Sequence, residues 1–366
     1  MYVLRILIAQ PLRLILTLLG IALCIILIMF IIGIYNGVAE GSVEYIRKTK
    51  ADIWVLQANS TNIIRGTSLL PAAYLHIIKS DTAVKTATPV LLLLTNIKIQ
   101  KHNATVLLTG YNPGSEGGPP IINAGREINK NNEIIIDKSF SSKYDITIGN
   151  EILIKEDTLK VVGISTGTNA VVTQYAFVTL EYAQSIIELP GLASFFILNC
   201  SSSSDLAAVQ KRIEDKLPGR FSIYQNKKFL ENNIAEMEAG ILPLFAAISA
   251  IGGIVLAIIL SLILSVNILE HRKDFAIMKV LGSPKSFLYY VIIFQALVLA
   301  LTSEVLGITL FYPLVKIIEK ISPEVNTIIN YDHLIYITLV TCIISLLSAL
   351  FSCRRIRKIY PLEVFS

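Results

Sequence analysis

The sequence is poor in charge. Asp, Glu, Lys and Arg make up 16% of its 366 residues, whereas hydrophobic residues make up 53% and the mean hydropathy is +0.63. Soluble domains contain about 25% charged residues, so a simple water-soluble globule is not expected. The membrane is therefore the first environment to consider.

Residues that carry catalysis or bind metals are also scarce. The chain has four cysteines and four histidines, and no histidine lies at a zinc-ligand spacing from a cysteine or a second histidine. The dipeptide Gly-Lys, which the phosphate-binding loop of P-loop ATPases requires, does not occur. We therefore predict no metal site, no cofactor and no catalytic residue, and the chain cannot be a P-loop ATPase by itself.

Long apolar runs dominate what is present. Three runs contain no Asp, Glu, Lys or Arg and a fourth is interrupted only by Glu304; the runs are Leu14–Ala39, Ala239–Leu269, Ser286–Val315 and His333–Cys353. Each reaches the roughly 20 residues that a membrane-spanning helix needs. The first run is longer than the apolar core of a signal peptide, so we expect it to be retained. The sequence thus predicts four transmembrane helices.

A segment of 205 residues, 36–240, separates the first predicted span from the second, which is enough for a domain. It interleaves stretches rich in β-formers with amphipathic helical stretches. The predicted strands are 51–57, 90–94, 105–108, 133–136 and 195–198, and the predicted helices are 180–188 and 205–217. An α/β domain is therefore expected. Cys200 is its only cysteine, which excludes a disulfide within it.

Three local features of this domain are predicted. Residues 146–164 contain two β-rich runs joined by Lys-Glu-Asp, which is typical of a hairpin. Residues 112–132 are rich in Gly, Pro and Asn, which favours a mobile segment that is rich in loops. Trp54, the only tryptophan, is expected to pack in the core.

Lys and Arg cluster beside one end of the predicted spans. Segments 1–13, 270–285 and 354–366 contain ten Lys or Arg and three Asp or Glu, whereas 316–332 contains two and three. This bias predicts cytoplasmic termini and an external 205-residue domain. Because the net charge of +5 arises largely from these segments, it gives no support for nucleic-acid binding.

Apolar residues at helical spacing connect the domain to the spans. The stripe before the second span consists of Leu230, Ile234, Met237 and Ile241, at i, i+4, i+7 and i+11. After the first span, Val38, Ser42 and Ile46 continue that helix in the same way. The two helices predict a stalk, which is either a passive tether or a stiff lever that transmits motion across the membrane.

Glu304 is the one ionisable residue well inside a predicted span. A carboxylate near the bilayer centre costs about 2.5–3.5 kcal/mol on insertion scales, so its side chain is expected to face protein or water. A position near the outer interface would lower this cost. A structural role and a functional role both stay open.

The loop between the second and third predicted spans, 270–285, reads EHRKDFAIMKVLGSPK. Phe275, Met278 and Leu281 lie on one side of a short predicted helix, which ends at Gly282. A minimal connection would need only a few polar residues, so a charged helix with one apolar side indicates a docking element. A helix lying on anionic lipid is the alternative.

This loop resembles the corresponding loop of the FtsX-like permeases of ABC transporters. The positions that fit the family pattern are Glu270, Arg272, Asp274, Phe275, Ala276, Ile277, Lys279, Val280, Leu281, Gly282 and Ser283. Asp274 stands where Glu is usual, and His271 and Pro284 are less typical. Residues 354–364, RRIRKIYPLEV, resemble the closing element of the family. The predicted layout also resembles that of the MacB, LolC/LolE and DevC-type permeases, in which one span is followed by a large external domain and then by three further spans.

The resemblance implies an α-helical membrane protein with four transmembrane helices and an external α/β domain, similar to the MacB periplasmic core, between the first two. The expected organisation is a cytoplasmic N-terminus with the first span at 1–35, the external domain with its stalk at 36–240, the other spans with a coupling helix, 270–283, at 241–353, and a cytoplasmic tail at 354–366.

The resemblance also implies a function, in the inner membrane of a bacterium. A separate cytoplasmic ATPase binds ATP and Mg²⁺ and docks on the coupling helix, whose expected residues are Glu270, Arg272, Asp274, Phe275, Met278, Lys279, Leu281 and Gly282. The permease is a homodimer or a heterodimer with a similar permease, in contact with membrane lipid, and its external domains move when ATP is hydrolysed. This mechanotransmission would export or extract a lipid, lipoprotein, peptide or drug-like cargo, with a periplasmic adaptor and an outer-membrane duct in a Gram-negative envelope. The alternative is a scaffold without transport that regulates an envelope enzyme.

Overall fold

The computed structural model describes residues 11–63, 68–99, 102–169, 173–201 and 205–357, apart from the side chains of Arg13, Ile241, Lys285 and 354–357. The first ten residues and the end of the predicted tail, 358–366, lie outside the described residues. The chain divides into two compact units. The helical unit comprises the chain up to Asn36, Leu242–Ile318 and the chain from Thr327. The α/β unit comprises Gly37–Ile241 and Glu319–Asn326.

The described part of the chain contains nine helices and twelve strands. In chain order they are α1 Pro11–Lys48, β1 Ile53–Gln57, β2 Leu70–Pro71, α2 Tyr74–Lys79, β3 Val84–Ile99, β4 His102–Tyr111, β5 Ile121–Gly125, β6 Glu133–Asp137, α3 Lys138–Tyr144, β7 Glu151–Ile154, β8 Asp157–Thr166, β9 Gln174–Thr179, α4 Leu180–Ile186, β10 Leu192–Ala193, β11 Phe195–Cys200, α5 Leu206–Lys216, β12 Phe221–Gln225, α6 Asn226–Glu270, α7 Arg272–Val280, α8 Lys285–Ile321 and α9 Tyr331–Arg357.

Four of the described helices are long and apolar enough to cross a membrane. The candidate spans are Leu14–Lys48 in α1, Leu242–Glu270 in α6, Ser286–Ile321 in α8 and Tyr331–Cys353 in α9. The four predicted transmembrane helices are thus confirmed. Both α1 and α6 continue as helices well beyond their apolar runs, as the residue spacing predicted.

One apolar core holds the helical unit together. It draws fully buried side chains from each long helix, including Ile25 of α1, Leu260 of α6, Ile292 of α8 and Ala349 of α9. Other leucines on the same helices are exposed, as expected of helix faces that meet lipid tails instead of protein. These helices therefore lack the separate apolar and polar faces of a helix in a soluble protein. Contact with a neighbouring helix decides which of their residues are buried.

The α/β unit is built on a mixed ten-stranded sheet. The strand order is β12-β1-β11-β3-β4-β9-β6-β8-β5, and β7 pairs with both β3 and β8. Most neighbouring strands are antiparallel, but β4 with β9 and β6 with β8 are parallel. The predicted α/β domain between the first and second spans is confirmed.

Strand β3 belongs to both halves of this sheet. Its first part, up to Val90, pairs with β11, and its second part, from Leu91, pairs with β4. Helices α2 and α5 cover the first half, where Ile78 and Ile213 are buried. Helices α3 and α4 cover the second half. The sixteen-residue strand is what joins two smaller α/β layers into one unit.

A third core of the α/β unit is rich in aromatic residues. Tyr45 of α1 and Phe229 of α6 are fully buried in it together with strand residues from both halves of the sheet. Trp54 stacks on Phe229 with ring centroids 4.8 Å apart and donates from Nε1 to Asn226 Oδ1 at 2.9 Å. The expectation that Trp54 packs in the core is confirmed.

The two loop predictions have different outcomes. The hairpin within 146–164 is confirmed, because β7 and β8 pair antiparallel around Lys155, which takes a left-handed φ of 52°. Residues 112–132 are rich in loop, as predicted, but Ile121–Gly125 forms β5 and pairs with β8, a strand that the sequence did not indicate. Glycine and proline around it concealed this strand. Only the residues on either side of β5 are loop.

A buried carboxylate in the α/β unit makes its stability depend on pH. Arg126 donates to both oxygens of Glu133, at 2.8 and 2.6 Å, and lowers the pKa of this buried carboxyl to about 2. A lowered pKa stabilises the folded state above the ordinary pKa of Glu, and this contribution is lost as the pH falls from about 4.5 towards 2. We expect Arg126→Ala to lower the urea midpoint at pH 7, and the difference from wild type to shrink at pH 3.

Trp54 fluorescence of the purified chain in detergent reports this transition, because Trp54 lies in the same unit. Lys211→Ala, which removes an exposed lysine of α5, is the matched control and should leave the midpoint unchanged at both pH values. Equal midpoints for Arg126→Ala and wild type at pH 7 would contradict the assignment.

Candidate functional site

The loop between the second and third spans folds as the short helix α7. His271 is its N-cap residue, and Nδ1 of His271 lies 3.1 Å from Asp274 Oδ2. At the other end the amides of Leu281 and Gly282 donate to the carbonyls of Ile277 and Lys279. Gly282 has a φ of +82°, which a glycine adopts without strain and which ends the helix as its position predicted.

The apolar residues of α7 point in two directions. Phe275 is only 3% exposed and, with Ala276, belongs to the apolar core of the helical unit. Met278 is half-buried against the same core. Leu281 is 79% exposed. The predicted stripe of Phe275, Met278 and Leu281 is therefore divided between the core and the surface.

A different set of apolar side chains forms the exposed face. Ile277, Val280 and Leu281 are exposed at positions i, i+3 and i+4, and we call them the docking patch. Arg272 and Lys273 are exposed as well. The exposed side combines Leu281 with Ile277 and Val280 instead of Phe275 and Met278, because a spacing of three or four residues fits either side of so short a helix. The remaining predicted members, Glu270, Asp274 and Lys279, lie on α7 or next to it.

The predicted stalk stripe lies beside the most buried face of α6. Leu230, Ile234 and Met237 are half-buried, and the side chain of Ile241 lies outside the described part. The buried residues are their neighbours Phe229 and Asn233. Hydrophobic spacing could not reveal Asn233, because it is polar.

Asn233 owes its burial to hydrogen bonds. Its Oδ1 accepts from the amide of Ile63 at 3.1 Å, and its Nδ2 donates to the carbonyl of Phe229 at 2.8 Å. A buried amide with both ends satisfied fixes the position of α6 against the segment that follows β1. In the other stalk helix Val38, Ser42 and Ile46 are all buried.

Glu304 lies within α8 and faces protein, as expected from the cost of exposing it to lipid. It is 3% exposed, and Thr338 of α9 donates to its Oε1. The other oxygen, Oε2, is buried without a hydrogen-bond partner in the described structure. Glu304 thus connects α8 to α9 inside the helical unit.

One short match to a catalytic pattern is present: Gly163–Gly167 reads GISTG, the spacing of a serine-hydrolase nucleophile. Ser165 is fully buried within β8, where its Oγ lies 3.3 Å from Ile136 O and 2.9 Å from Thr168 Oγ1. Neither hydrogen-bond partner is a base, and the serine does not sit on an exposed turn between a strand and a helix. We assign it no catalytic role.

Two families match this chain and together cover most of it. Residues 14–216 match the MacB-like periplasmic core domain, and residues 246–361 match the FtsX-like permease C-terminal domain. The second match includes α7, and the first includes most of the sheet.

Two relatives with names of the same kind are similar over nearly the whole chain, and a third over part of it. An uncharacterized ABC transporter permease of Mycobacterium tuberculosis is 20% identical over 356 residues, which is 96% of this chain and 95% of that protein. HrtB of Staphylococcus haemolyticus, named as a hemin transport system permease, is 22% identical over 92% of this chain and 91% of its own length. An uncharacterized ABC transporter permease of Methanocaldococcus jannaschii is 22% identical over 60% of this chain, and that match spans 57% of the relative.

Among solved structures, the periplasmic region of MacB from Actinobacillus actinomycetemcomitans is similar, with 11% identity and a TM-score of 0.41 over 51% of this chain and 94% of that one. The family matches extend across both the spans and the α/β unit. The chain therefore belongs to the FtsX-like permeases of ABC transporters that carry a MacB-like periplasmic core domain.

Proposed function

We propose that this permease couples ATP hydrolysis by a separate cytoplasmic ATPase to motion of the α/β unit, and that this motion exports or extracts cargo. The observation that carries the proposal is the docking patch on α7. Three apolar side chains are exposed on a short helix beside exposed Arg272 and Lys273, and α7 is anchored in the helical unit by buried Phe275. An apolar centre with a charged rim is typical of a protein interface.

The stalk helices supply the mechanical part of the proposal. α1 and α6 each run without interruption from an apolar span into the sequence of the α/β unit, where Tyr45 and Phe229 are buried in one core. A helix anchored in this way moves its attached layer when it tilts. We therefore favour the stiff lever over the passive tether.

We further propose a dimer, either of this chain or with a similar permease. The span in α6 is mostly exposed in the single chain, and its exposed apolar residues include Leu244, Ile251 and Ile258 at intervals of seven. A repeat of seven residues is the spacing that packs two helices along their length. A second permease along this face, with lipid around it, would complete an assembly of eight spans.

The cargo class is lipid, lipoprotein, peptide or drug-like molecule, and a hydrophobic compound has the better support. HrtB, similar over most of both chains, is named for hemin transport. The α/β unit also has a cavity of about 250 Å³ that includes Leu56, Leu92 and Phe195, and none of the described residues that line it is charged. An adaptor and an outer-membrane duct would extend the path in a Gram-negative envelope.

The proposed location is the bacterial inner membrane, with both termini and α7 in the cytoplasm and the α/β unit outside. The excess of Lys and Arg in the short segments beside the spans supports this orientation. In a chain whose four native cysteines are replaced, we expect a cysteine at Asn112 to react with a membrane-impermeant thiol reagent in intact cells. A cysteine at Ser283 should react only after permeabilisation. The reverse labelling would overturn the orientation.

Affinity purification in mild detergent tests the function itself. The chain is expressed with its neighbouring genes, and the purified sample is examined for a stoichiometric ATPase and for ATP hydrolysis. We expect both. A chain that purifies alone, or with an envelope enzyme and no ATPase, would favour the alternative of a scaffold that regulates such an enzyme.

A further inference from the structure

The last three residues of α8 and the first part of its connection to α9 belong to the α/β unit. These residues, Glu319–Asn326, group with Gly37–Ile241, although the flanking sequence on both sides belongs to the helical unit. The sequence placed the whole of 241–353 together, with the α/β domain attached through α1 and α6 alone. The chain instead passes between the two units at four points: 36/37, 241/242, 318/319 and 326/327.

Glu324 is the main attachment of this connection. Its carboxylate pairs with Lys143 of α3, with Nζ 2.8 Å from Oε1 and 2.7 Å from Oε2. Its backbone carbonyl accepts from Nδ2 of Asn169 at 3.1 Å. Glu324 also raises the pKa of Lys143, which keeps the lysine charged. Side chain and backbone of one residue are thus held by two separate segments of the α/β unit.

A buried carboxylate positions both segments. Asp137 caps α3 by accepting from the amide of Ser139 at 2.7 Å, and its other oxygen accepts from Thr168 Oγ1 at 2.6 Å. The helix that carries Lys143 and the residue that precedes Asn169 are therefore fixed to the same group. Asp137 is 1% exposed, so this arrangement is shielded from water.

The connection also lies against α1. A Cβ atom placed on Gly37 would be 1.7 Å from the carbonyl oxygen of Asn326, so no side chain fits at this position. Gly37 lies inside a long helix, where glycine is normally unfavourable by about 1 kcal/mol relative to alanine. Its use here has a steric reason, which is the close approach of two backbones.

We propose that Glu319–Asn326 is a strap that stays fastened to the α/β unit during the transport cycle and links its motion to α8 and α9. The strap supplies two of the four connections between the units, in addition to the stalk helices. This role deepens the proposed function and rests on it, whereas the fastening itself is a property of the chain alone.

Carbodiimide coupling tests the fastening on the native chain. The reagent activates a carboxylate, an amine in direct contact attacks it to form an amide, and the reagent leaves as a urea. The Lys143–Glu324 pair should therefore give a cross-linked peptide detectable by mass spectrometry. We expect this product from the chain alone in membranes, and in undiminished yield from the complex with ATPase trapped by ATP, Mg²⁺ and vanadate. Glu324→Gln is the control and should give none.

Absence of the product from the native chain would contradict the proposed contact. Loss of the product in the trapped complex would show that the contact opens during the cycle, which would contradict a strap that stays fastened. If no ATPase purifies with the chain, the proposed function fails while the coupling experiment on the chain alone still decides the fastening.

Charge reversal tests whether the strap transmits motion. We expect Glu324→Lys to change the ATP hydrolysis rate of the complex at least about fivefold, which is the lower end of the coupling commonly found between two sites. The double variant Lys143→Glu with Glu324→Lys restores the pair and should return the wild-type rate. An unchanged rate in the single variant, or no recovery in the double variant, would contradict the proposal.

Discussion

Leu281→Asp is expected to abolish co-purification of the ATPase while the permease still reaches the membrane. Leu281 is the most exposed residue of the docking patch, so the substitution leaves the core of the helical unit intact. In the complex it would bury a carboxylate in an apolar contact. Losing a central apolar anchor of an interface commonly costs at least about 2 kcal/mol, and an unpaired buried charge adds to this. Affinity should therefore fall by more than about 30-fold.

The matched control is Leu189→Asp, which makes the same change at an exposed leucine of the α/β unit. Both variants should be present in membranes at the wild-type level. The control should also retain the ATPase. Undiminished co-purification with Leu281→Asp would show that α7 does not dock the ATPase, and would favour a helix lying on anionic lipid.

Phe275 is a less suitable site for this substitution than Leu281, because it is buried. The family resemblance and the helical spacing both assign it to the coupling helix, yet it packs inside the helical unit. Phe275→Asp would therefore place a charge in a core made of four long helices, and loss of ATPase binding would follow from unfolding. A substitution in the exposed docking patch can change the interface without disturbing the core, so it distinguishes loss of binding from loss of folding.

Much of the architecture could be predicted because it depends on local composition. Three spans are recognised by the absence of charge over at least 20 residues, and the fourth by an apolar run that only Glu304 interrupts. The hairpin around Lys155 is recognised by a polar turn between two β-rich runs. Glu304 was expected to face protein or water, and it faces protein, because the cost of exposing a carboxylate to lipid is a property of the residue. These inferences need no knowledge of distant contacts.

Other features depend on contacts between residues far apart in sequence, which periodicity does not encode. From its sequence Asn233 is expected at the surface, but it is buried because its side chain accepts a hydrogen bond from the amide of Ile63. Gly37 is expected to weaken its helix, but it is required there because the backbone of Asn326 passes too close for a side chain. The strap is another case, because nothing near Glu324 in sequence indicates that Lys143, 181 residues away, is its partner.

Trp54→Ala is expected to destabilise the α/β unit and to disconnect α6 from it. The indole packs against Phe229 and Phe195, with ring centroids 4.8 and 5.2 Å away, and its Nε1 donates a hydrogen bond to Asn226, the first residue of α6. Removing a fully buried aromatic side chain costs about 3–5 kcal/mol, because the cavity is filled only in part. Trp54→Phe keeps a ring in the stack and loses the hydrogen bond, so its cost should be clearly smaller.

The thiol of Cys200 can report this difference after the other three cysteines are replaced. Cys200 is buried in the α/β unit, and it gains reactivity only when β11 opens. We expect its modification in urea to begin at the lowest concentration in Trp54→Ala, followed by Trp54→Phe and then wild type. Because α7 lies in the helical unit, the ATPase should still bind Trp54→Ala. If Trp54→Ala matched wild type in urea, the aromatic core could not be what seats the stalk, and the lever would need a different anchor.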